Sequence, residues 1–314
     1  MDRNLALEFI RVTEAAAIAA AKWIGCGDKN KADGAAVDAM RSRFNLIDFA
    51  GTVVIGEGEK DEAPMLYTGE KVGTKKGPVM DLAIDPLECT ESVAYGRYNA
   101  TTVVASGPKG SLLHAPDTYM KKIAVGPMAR NAINLEASTK VNIQKVARDM
   151  KKKVEEITVV VLDRERHQDL IKEIRDAGAR VRLITDGDVA AAIATCFPES
   201  GIDMLMGLGG STEAVLAAVP VKILGGEILC QFKPKKDADI PKIKAAGVKN
   251  INRIFTAEDL AHGKELTFTA TGVIDGPLLN GVVFGKNKAI THSIVVRGIS
   301  GTIRYITTHH HYYK

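Results

Sequence analysis

Three carboxylates and a hydroxyl are crowded at the end of one apolar run, in the segment that begins at Asp81. Alternate side chains of an extended segment share a face, so Asp81 and Asp85 point the same way. Pro86 then turns the chain and brings Glu88 and Thr90 round. Mg²⁺ and Mn²⁺ prefer such oxygen ligands, and a pair of these ions assists in-line phosphoryl displacement. The spacing therefore predicts a divalent-cation site with phosphoryl-transfer chemistry.

An ordinary solvated turn is the alternative interpretation, because Asp and Pro both favour turns. Two further acidic clusters favour the metal site. Glu57, Glu59 and Asp61 follow a second apolar run, which ends at Ile55. Asp33 lies at the start of an amphipathic helix that is predicted to bury Ala36, Val37 and Met40. Three carboxylate-rich strand or helix ends are thus candidates to meet at one site.

The size and hydropathy of the chain fit a globular protein with two domains. It has 314 residues, of which 46% are hydrophobic. No apolar run reaches membrane-spanning length, and the first residues lack the basic-then-apolar pattern of a signal peptide. We therefore expect a cytoplasmic protein without a membrane partner.

Charge and cysteine content exclude other classes of function. Lys and Arg number 42 against 38 Asp and Glu, so the formal net charge is only +4. The basic residues are spread along the chain, which does not favour nucleic-acid binding. The four cysteines are far apart without a CxxC pair, so neither a zinc ribbon nor a disulfide framework is expected.

The pattern of elements changes near residue 156 and predicts an α/β protein with two domains. Residues 1–155 are typical of an α+β domain, here expected to bind the metal. Residues 156–314 begin with alternating strands and helices, which predict a parallel sheet covered on both faces and a sugar-phosphate-binding role. The strands from about residue 265 belong to either sheet, and a return to the first domain is one alternative.

The ends of the predicted parallel strands carry polar groups suited to a phosphorylated sugar. Arg164 and Arg166 follow the first of these strands and are able to bind a phosphate through two hydrogen bonds each. Asp186 and Asp188 follow the second strand and suit sugar hydroxyls. A Gly-rich loop, residues 207–213, follows the third and offers backbone amides to an anion. Each feature is common alone, but their coincidence at successive strand ends predicts a ligand site.

Motifs over nearly the whole chain resemble those of the class II fructose-1,6-bisphosphatases. This family belongs to the lithium-sensitive, metal-dependent sugar phosphatases, and the resemblance implies their layered α-β-α-β-α fold. The segments that carry it are Gly27-Asp28-Lys29 with Ala32-Asp33-Gly34, Val54-Ile55-Gly56-Glu57-Gly58-Glu59, Asp85-Pro86-Leu87-Glu88 with Thr90, Ala115-Pro116-Asp117-Thr118-Tyr119-Met120, and Asp186-Gly187-Asp188-Val189.

The resemblance also implies a role for each matching position. Two or more divalent ions, Mn²⁺ or Mg²⁺, would be held by Asp33 and Glu57 and by Asp85, Glu88 and Glu213. Thr90 would orient and polarise the attacking water, with Asp33, Glu59 and Asp61 as further catalytic candidates. The implied substrate-binding residues are Glu88, Cys89, Thr90, Tyr119, Arg164, Glu165, Arg166, Asp186, Gly187, Asp188 and Gly210.

The implied activity is hydrolysis of the 1-phosphate of fructose 1,6-bisphosphate, a gluconeogenic reaction that gives fructose 6-phosphate. A homodimer or homotetramer is the implied assembly. Two alternatives remain open. The first is another phosphatase of the superfamily, acting on sedoheptulose 1,7-bisphosphate, an inositol phosphate or a 3′-phosphonucleotide. The second is a weakly active homologue that binds sugar phosphate as a sensor or regulator.

The sequence departs from the family pattern at two places. Cys89 stands where the family usually has glycine, which permits positive φ and close approach to a phosphate. Ser211 and Thr212 stand where the family typically has Ala-Pro, and Ala214 replaces a glycine. We expect Cys89 to lower or modulate activity without abolishing metal binding, and the altered loop to affect efficiency and specificity.

Overall fold

The computed structural model describes residues 5–58 and 65–312. They form two compact units, and the first is discontinuous in sequence. It combines the chain up to Leu112 with the chain from Gly263 onward, while the second is Leu113–His262.

The helices and strands follow in chain order. The first stretch contains α1 (Leu5–Ala21), α2 (Lys29–Phe44), β1 (Ala50–Ile55), β2 (Lys71–Val72), β3 (Val79–Glu88), α3 (Thr90–Tyr95) and β4 (Ala100–Pro108). The second unit contains β5 (Tyr119–Val125), α4 (Thr139–Asp149), β6 (Thr158–Leu162), α5 (Gln168–Asp176), β7 (Arg180–Ile184), α6 (Asp188–Ala194), β8 (Met204–Gly210), α7 (Ser211–Ile223), β9 (Glu227–Phe232), α8 (Asp239–Ala245), β10 (Ile254–Phe255) and α9 (Ala257–Leu260). The last stretch contains β11 (Thr267–Ile274), β12 (Val283–Gly285), β13 (Lys288–Arg297) and β14 (Thr302–His311).

The first unit is built on an eight-stranded mixed sheet. Its order is β12-β13-β11-β4-β3-β1-β2, with β14 paired to β13. Strands β1 and β3 run parallel, whereas β11 is antiparallel to both β4 and β13. The strands after residue 265 therefore complete the sheet that the N-terminal strands begin.

Two amphipathic helices cover this sheet. Helix α1 is rich in alanine, a strong helix former, and buries Phe9 and Val12 completely. Helix α2 starts at Asp28, whose side chain accepts a hydrogen bond from the Lys31 amide at 3.0 Å. The ring of Phe9 packs edge-on against Phe44 of α2, with ring centroids 5.9 Å apart. The predicted helical face of α2 is thus buried as expected.

The second unit is built on a six-stranded sheet, in the order β10-β9-β5-β8-β6-β7. Strands β7, β6 and β8 are parallel, as the alternating pattern predicts. The expectation of a wholly parallel sheet is wrong, because β5 is inserted antiparallel between β8 and β9. The α/β class itself is confirmed. Because β5 precedes the alternating region, the boundary expected after residue 155 lies within this unit rather than at its edge.

Helices flank the second sheet through apolar contacts. Ile143 of α4 and Ile174 of α5 share a buried cluster with Ile123 of β5 and Val159 of β6. Helix α7 contacts β5, β8 and β9, and α6 packs against α7 and β8. Helices long and apolar enough to cross a membrane are absent from residues 5–58 and 65–312.

Candidate active site

Two of the predicted metal ligands leave the first sheet side by side. Ile55 of β1 is paired with Ala83 of β3, after a register shift that begins at Val53. Glu57 and Asp85 each come two residues later along these parallel neighbours. Since paired strands lie about 4.8 Å apart, the register places the two carboxylates together at the same end of the sheet.

Gly56 permits the turn that follows β1. A Cβ at this position would overlap the backbone carbonyl oxygen of Leu66, so only glycine fits. The Glu57 amide donates a hydrogen bond to the same carbonyl at 3.1 Å. The backbone on either side of Glu57 is therefore fixed by its close approach to the segment at Leu66.

Asp33 of α2 completes this acidic cluster, which comprises Asp33, Glu57 and Asp85. The Glu57 carboxyl is hydrogen-bonded to that of Asp33. Burial raises the pKa of Glu57 to about 9, and the negative charges of Asp85 and Asp33 act in the same direction. Burial also raises the pKa of Asp33. The cluster therefore holds more negative charge than its surroundings stabilise.

The acidic cluster has the donor atoms that a hard divalent cation requires. All three side chains offer carboxylate oxygens, the preferred ligands of Mg²⁺ and Mn²⁺. Within residues 5–58 and 65–312, no group of three acidic, His or Cys side chains is arranged as a complete metal-binding site. The carboxylate donors of the acidic cluster fit a divalent ion by their chemistry, not by a finished coordination geometry.

The end of β3 is shaped by an irregularity that contains Pro86. The pairing with β4 shifts between Asp85, opposite Val103, and Glu88, opposite Thr101. Asp85 Oδ1 accepts a hydrogen bond from the Leu87 amide at 3.0 Å, and buried Glu88 accepts one from the Thr101 hydroxyl at 3.2 Å. Two of the three predicted ligands of the second ion, Asp85 and Glu88, are thus oriented by hydrogen-bond donors.

Cys89 has the backbone conformation that glycine adopts most readily. Its φ is 72° and its ψ is 51°, in the left-handed region, at the residue that immediately precedes α3. The side chain is buried, and the Asn99 amide nitrogen lies 3.9 Å from its sulfur. Thr90 follows as the first, half-buried residue of α3.

Asp81 does not belong with the acidic cluster. Its buried carboxylate accepts a hydrogen bond from the Gly110 amide at 2.6 Å, in the turn that follows β4. The period-2 argument placed Asp81 on the face of Asp85, but three residues of strand lie between them and keep the two side chains apart. Asp81 therefore stabilises the β3–β4 hairpin.

In the second unit, cationic side chains surround Tyr119 at the start of β5. The guanidinium carbon of Arg166 and the amine of Lys235 each lie 4.7 Å from the centre of the Tyr119 ring. Arg166 also donates from Nε and Nη2 to the Leu208 carbonyl, at 3.3 and 3.0 Å. This arrangement suits a phosphate. It includes Tyr119 and Arg166, two of the residues predicted to bind the substrate.

Arg164 lies beside the second predicted sugar-binding loop. Its Nη2 is 3.9 Å from Asp186 Oδ1, and its Nη1 donates to the Asp163 carbonyl at 3.2 Å. Gly187 has φ 78° and starts α6 in a left-handed conformation that favours glycine. Glu165 is exposed in the short 3₁₀ turn between Arg164 and α5.

Asp188 forms a buried ion pair with Lys122, which the sequence analysis missed. Lys122 Nζ lies 2.7 Å from Asp188 Oδ2, and both side chains are almost fully buried. Lys122 points from the middle of β5 to the face opposite Ile123. Burial acts to lower the pKa of Lys122, but the charges of Asp188 and Glu213 outweigh it and raise that pKa. The sequence signal that could have revealed this ion pair is a lysine among the apolar residues of β5.

Glu213 and the altered Gly-rich loop lie at the start of α7. A Cβ on Gly210 would overlap the Glu213 carboxylate, so the side chain folds over the glycine. The Thr212 hydroxyl donates to Glu213 Oε2 at 2.7 Å. The fully buried Ser211 hydroxyl accepts a bond from the Thr118 amide at 3.1 Å. Both substituted hydroxyls are thus integrated into the loop.

The chain has known relatives over almost its full length. The family described as bacterial fructose-1,6-bisphosphatase, glpX-encoded, matches residues 3–310. The chain belongs to this family. It is 44% identical to fructose-1,6-bisphosphatase 1 class 2 of Escherichia coli strain K12, over 99% of this chain and 96% of the relative. The class 2 enzyme of Shigella flexneri matches with the same identity and coverage.

A solved structure, an extragenic suppressor from Pyrococcus furiosus, aligns with 57% of this chain and 64% of its own at 14% identity, with a TM-score of 0.28. A likeness this small supports no inference about the site. Membership of the family confirms the resemblance that the motifs indicate.

The structure brings together only part of the predicted site within each unit. Asp33, Glu57 and Asp85 meet in the first unit, while Tyr119 and Arg166 meet in the second. Glu59 and Asp61 lie outside the described residues. The individual roles assigned to all these residues stay predictions.

The Lys122–Asp188 pair yields a first prediction. Lys122→Met leaves a buried carboxylate without its cation and should lower the free energy of unfolding by about 3–5 kcal/mol, measured by urea denaturation. Adding Asp188→Asn removes the stranded charge and should restore part of the loss. A double variant no more stable than Lys122→Met would contradict this account.

A second prediction concerns the strained backbone at Cys89. Cys89→Gly should raise the free energy of unfolding by about 1 kcal/mol, because glycine adopts positive φ without a Cβ penalty. Phosphatase activity should be at least that of the unaltered protein. Cys89→Ala removes the sulfur but keeps the Cβ, so it should lack the stability gain. Equal unfolding midpoints for the two variants would rule out backbone strain.

His167 gives a third prediction, on pH. Its Nδ1 donates to the Leu162 carbonyl and its Nε2 accepts from the Leu208 amide, both at 2.8 Å, so the ring is neutral. Burial lowers the pKa of His167 below its ordinary 6.5. The unfolded chain therefore takes up a proton first as pH falls below about 6.5, and the free energy of unfolding should fall with it.

The measurement for His167 is the slope of unfolding free energy between pH 7 and 5. His167→Asn, which does not titrate in this range, should have a shallower slope than the unaltered protein. His114→Asn, at an exposed histidine, serves as control and should keep the slope. Parallel slopes for all three proteins would show that His167 does not contribute.

Proposed function

We propose that the protein hydrolyses the 1-phosphate of fructose 1,6-bisphosphate to give fructose 6-phosphate and phosphate, as part of gluconeogenesis. The acidic cluster at the ends of β1 and β3 is the observation that carries the proposal. Membership of the bacterial fructose-1,6-bisphosphatase family, and 44% identity to a class 2 enzyme over nearly full length, support it.

In this proposal Asp33 and Glu57 hold one divalent ion, while Asp85 and Glu88 serve the second; the assignment of Glu213 to that ion stays a prediction from the family resemblance. The raised pKa of Glu57 supports a cation at this position, because positive charge offsets the mutual repulsion of the carboxylates. Bound Mn²⁺ or Mg²⁺ supplies neutralisation of negative charge on the phosphoryl oxygens. The proposal includes either metal, Mn²⁺ or Mg²⁺.

The protein's own groups orient the reaction. Glu88 is held by Thr101 and precedes the turn that presents Thr90. We assign Thr90 the task of orienting and polarising the attacking water, with Asp33, Glu59 and Asp61 as candidates for handling its proton. A phosphate dianion repels such a nucleophile, so placement of the water contributes to the rate alongside charge neutralisation.

The second phosphate of a sugar bisphosphate requires cationic groups, which the second unit offers around Tyr119. Arg166 presents a planar guanidinium beside the ring, and Arg164 lies in the adjacent loop. We assign these three residues to the phosphate that is not cleaved. Contacts to the sugar or its vicinity are assigned to Glu165, Asp186, Gly187 and Gly210, and to Asp188, whose Oδ2 is also paired with Lys122. Glu88 and Cys89 likewise stay predicted substrate-binding positions.

A cytoplasmic location and a homodimeric or homotetrameric assembly are further parts of the proposal. The competing substrates are sedoheptulose 1,7-bisphosphate and the other phosphomonoesters named above. A panel of these compounds with a phosphate-release assay ranks them, and turnover should be highest with fructose 1,6-bisphosphate. Sugar-phosphate binding without metal-dependent turnover would instead favour the sensor alternative.

A substitution in the acidic cluster tests the proposed chemistry. Glu57→Ala should lower kcat by about 100-fold or more, because an ion ligand worth several kcal/mol is lost. The circular dichroism spectrum should stay close to that of the unaltered protein. Asp38→Asn, on the exposed face of α2, serves as the matched control and should keep full activity.

The same assay is repeated with and without a chelator. Phosphate release should stop when the metal is removed and return when excess Mn²⁺ or Mg²⁺ is added. Near-normal turnover of Glu57→Ala, or activity that resists chelation, would refute the metal-dependent mechanism.

A further inference from the structure

The amine of Lys235 and the guanidinium of Arg166 meet at the same aromatic ring. Each lies 4.7 Å from the centre of the Tyr119 ring. Arg166 is hydrogen-bonded to Leu208 of β8 and Lys235 follows β9, and these two strands flank β5. Two cations on one ring repel each other, and a shared anion would relieve that repulsion.

The position of Lys235 is set by its backbone. The Lys233 amide donates to the Tyr119 carbonyl at 2.8 Å, which extends the β9–β5 ladder beyond the strand end. The Lys235 amide donates to the Thr118 hydroxyl at 3.1 Å, and that hydroxyl donates to buried Asp239 at 2.9 Å. The chain is therefore anchored where Lys235 passes Tyr119.

The side chain of Lys235 is held only weakly. Its amine lies 2.9 Å from Asp117 Oδ1, and the two side chains are 37% and 71% exposed. An ion pair this open to water contributes about 1 kcal/mol or less, so a phosphate dianion is able to displace the Asp117 carboxylate. Arg166 uses two of its five N–H groups on Leu208 and keeps others for an anion.

We infer that Lys235 is a specificity-determining residue that, together with Tyr119 and Arg166, binds the phosphate that is not cleaved. It thereby selects sugar bisphosphates over sugar monophosphates. This inference rests on the proposed function and adds a residue to it. Asp117 is the counter-ion that keeps the Lys235 amine beside the ring until the phosphate arrives.

The test compares kcat/KM for fructose 1,6-bisphosphate with kcat/KM for fructose 1-phosphate, which lacks the second phosphate. Lys235→Met keeps the length of the side chain but removes its charge, and should lower this ratio about 10- to 100-fold. Lys235→Arg retains the charge and should restore most of the ratio. Lys242→Met removes a charge from an exposed site on α8 and should leave the ratio unchanged.

Binding of fructose 6-phosphate by calorimetry provides a readout without turnover. Its Kd should rise by a similar factor in Lys235→Met and stay constant in Lys242→Met. If Lys235→Met lost activity on both substrates alike, or on neither, and bound fructose 6-phosphate normally, the inference would be overturned. If the unaltered protein hydrolysed neither substrate, the proposed function would fail, while the binding comparison would still decide the role of Lys235.

Discussion

Mutual repulsion among half-buried carboxylates is the constraint on which the first unit depends. The parallel pairing of β1 with β3 places Glu57 next to Asp85, and α2 adds Asp33. Carboxylates at such close quarters do not all ionise without a compensating positive charge, whether a proton or a metal ion. The strand register, the glycine at the end of β1 and the Pro86 irregularity in β3 all serve to hold this unfavourable grouping in place.

In the second unit, the antiparallel strand β5 organises both of the charged arrangements described. Its side chains alternate between the two faces of the sheet, so Tyr119 and Lys122 serve different surroundings. At the end of the strand, the half-buried Tyr119 ring contacts the cationic side chains of Arg166 and Lys235. At its centre, Lys122 is sealed against Asp188. One short strand thus combines a cationic surface at its end with a buried ion pair at its centre.

Local sequence patterns predict the helices and strands well, but they predict less well which strands pair with one another. The alternation of strands and helices predicted from residue 156 onward is observed from β6 to β9, because apolar periodicity reflects burial directly. The insertion of β5 and the return of β11 depend on contacts distant in sequence, which periodicity does not encode. Likewise the acidic motifs identify Asp33, Glu57 and Asp85, whereas Lys122 and Lys235 acquire meaning only through strand neighbours. Asp81 shows the opposite case. It belongs to an acidic motif, but its carboxylate is hydrogen-bonded to a backbone amide and does not join the acidic cluster.

The discontinuity of the first unit has a consequence for biosynthesis. Strands β11 to β14 form the side of the larger sheet next to β4, so this side is missing until about the last fifty residues have been synthesised. The inserted unit, Leu113–His262, is complete earlier and has a continuous chain. During translation the N-terminal strands therefore wait with unpaired edges, a state in which nascent chains are most exposed to aggregation and to chaperone capture.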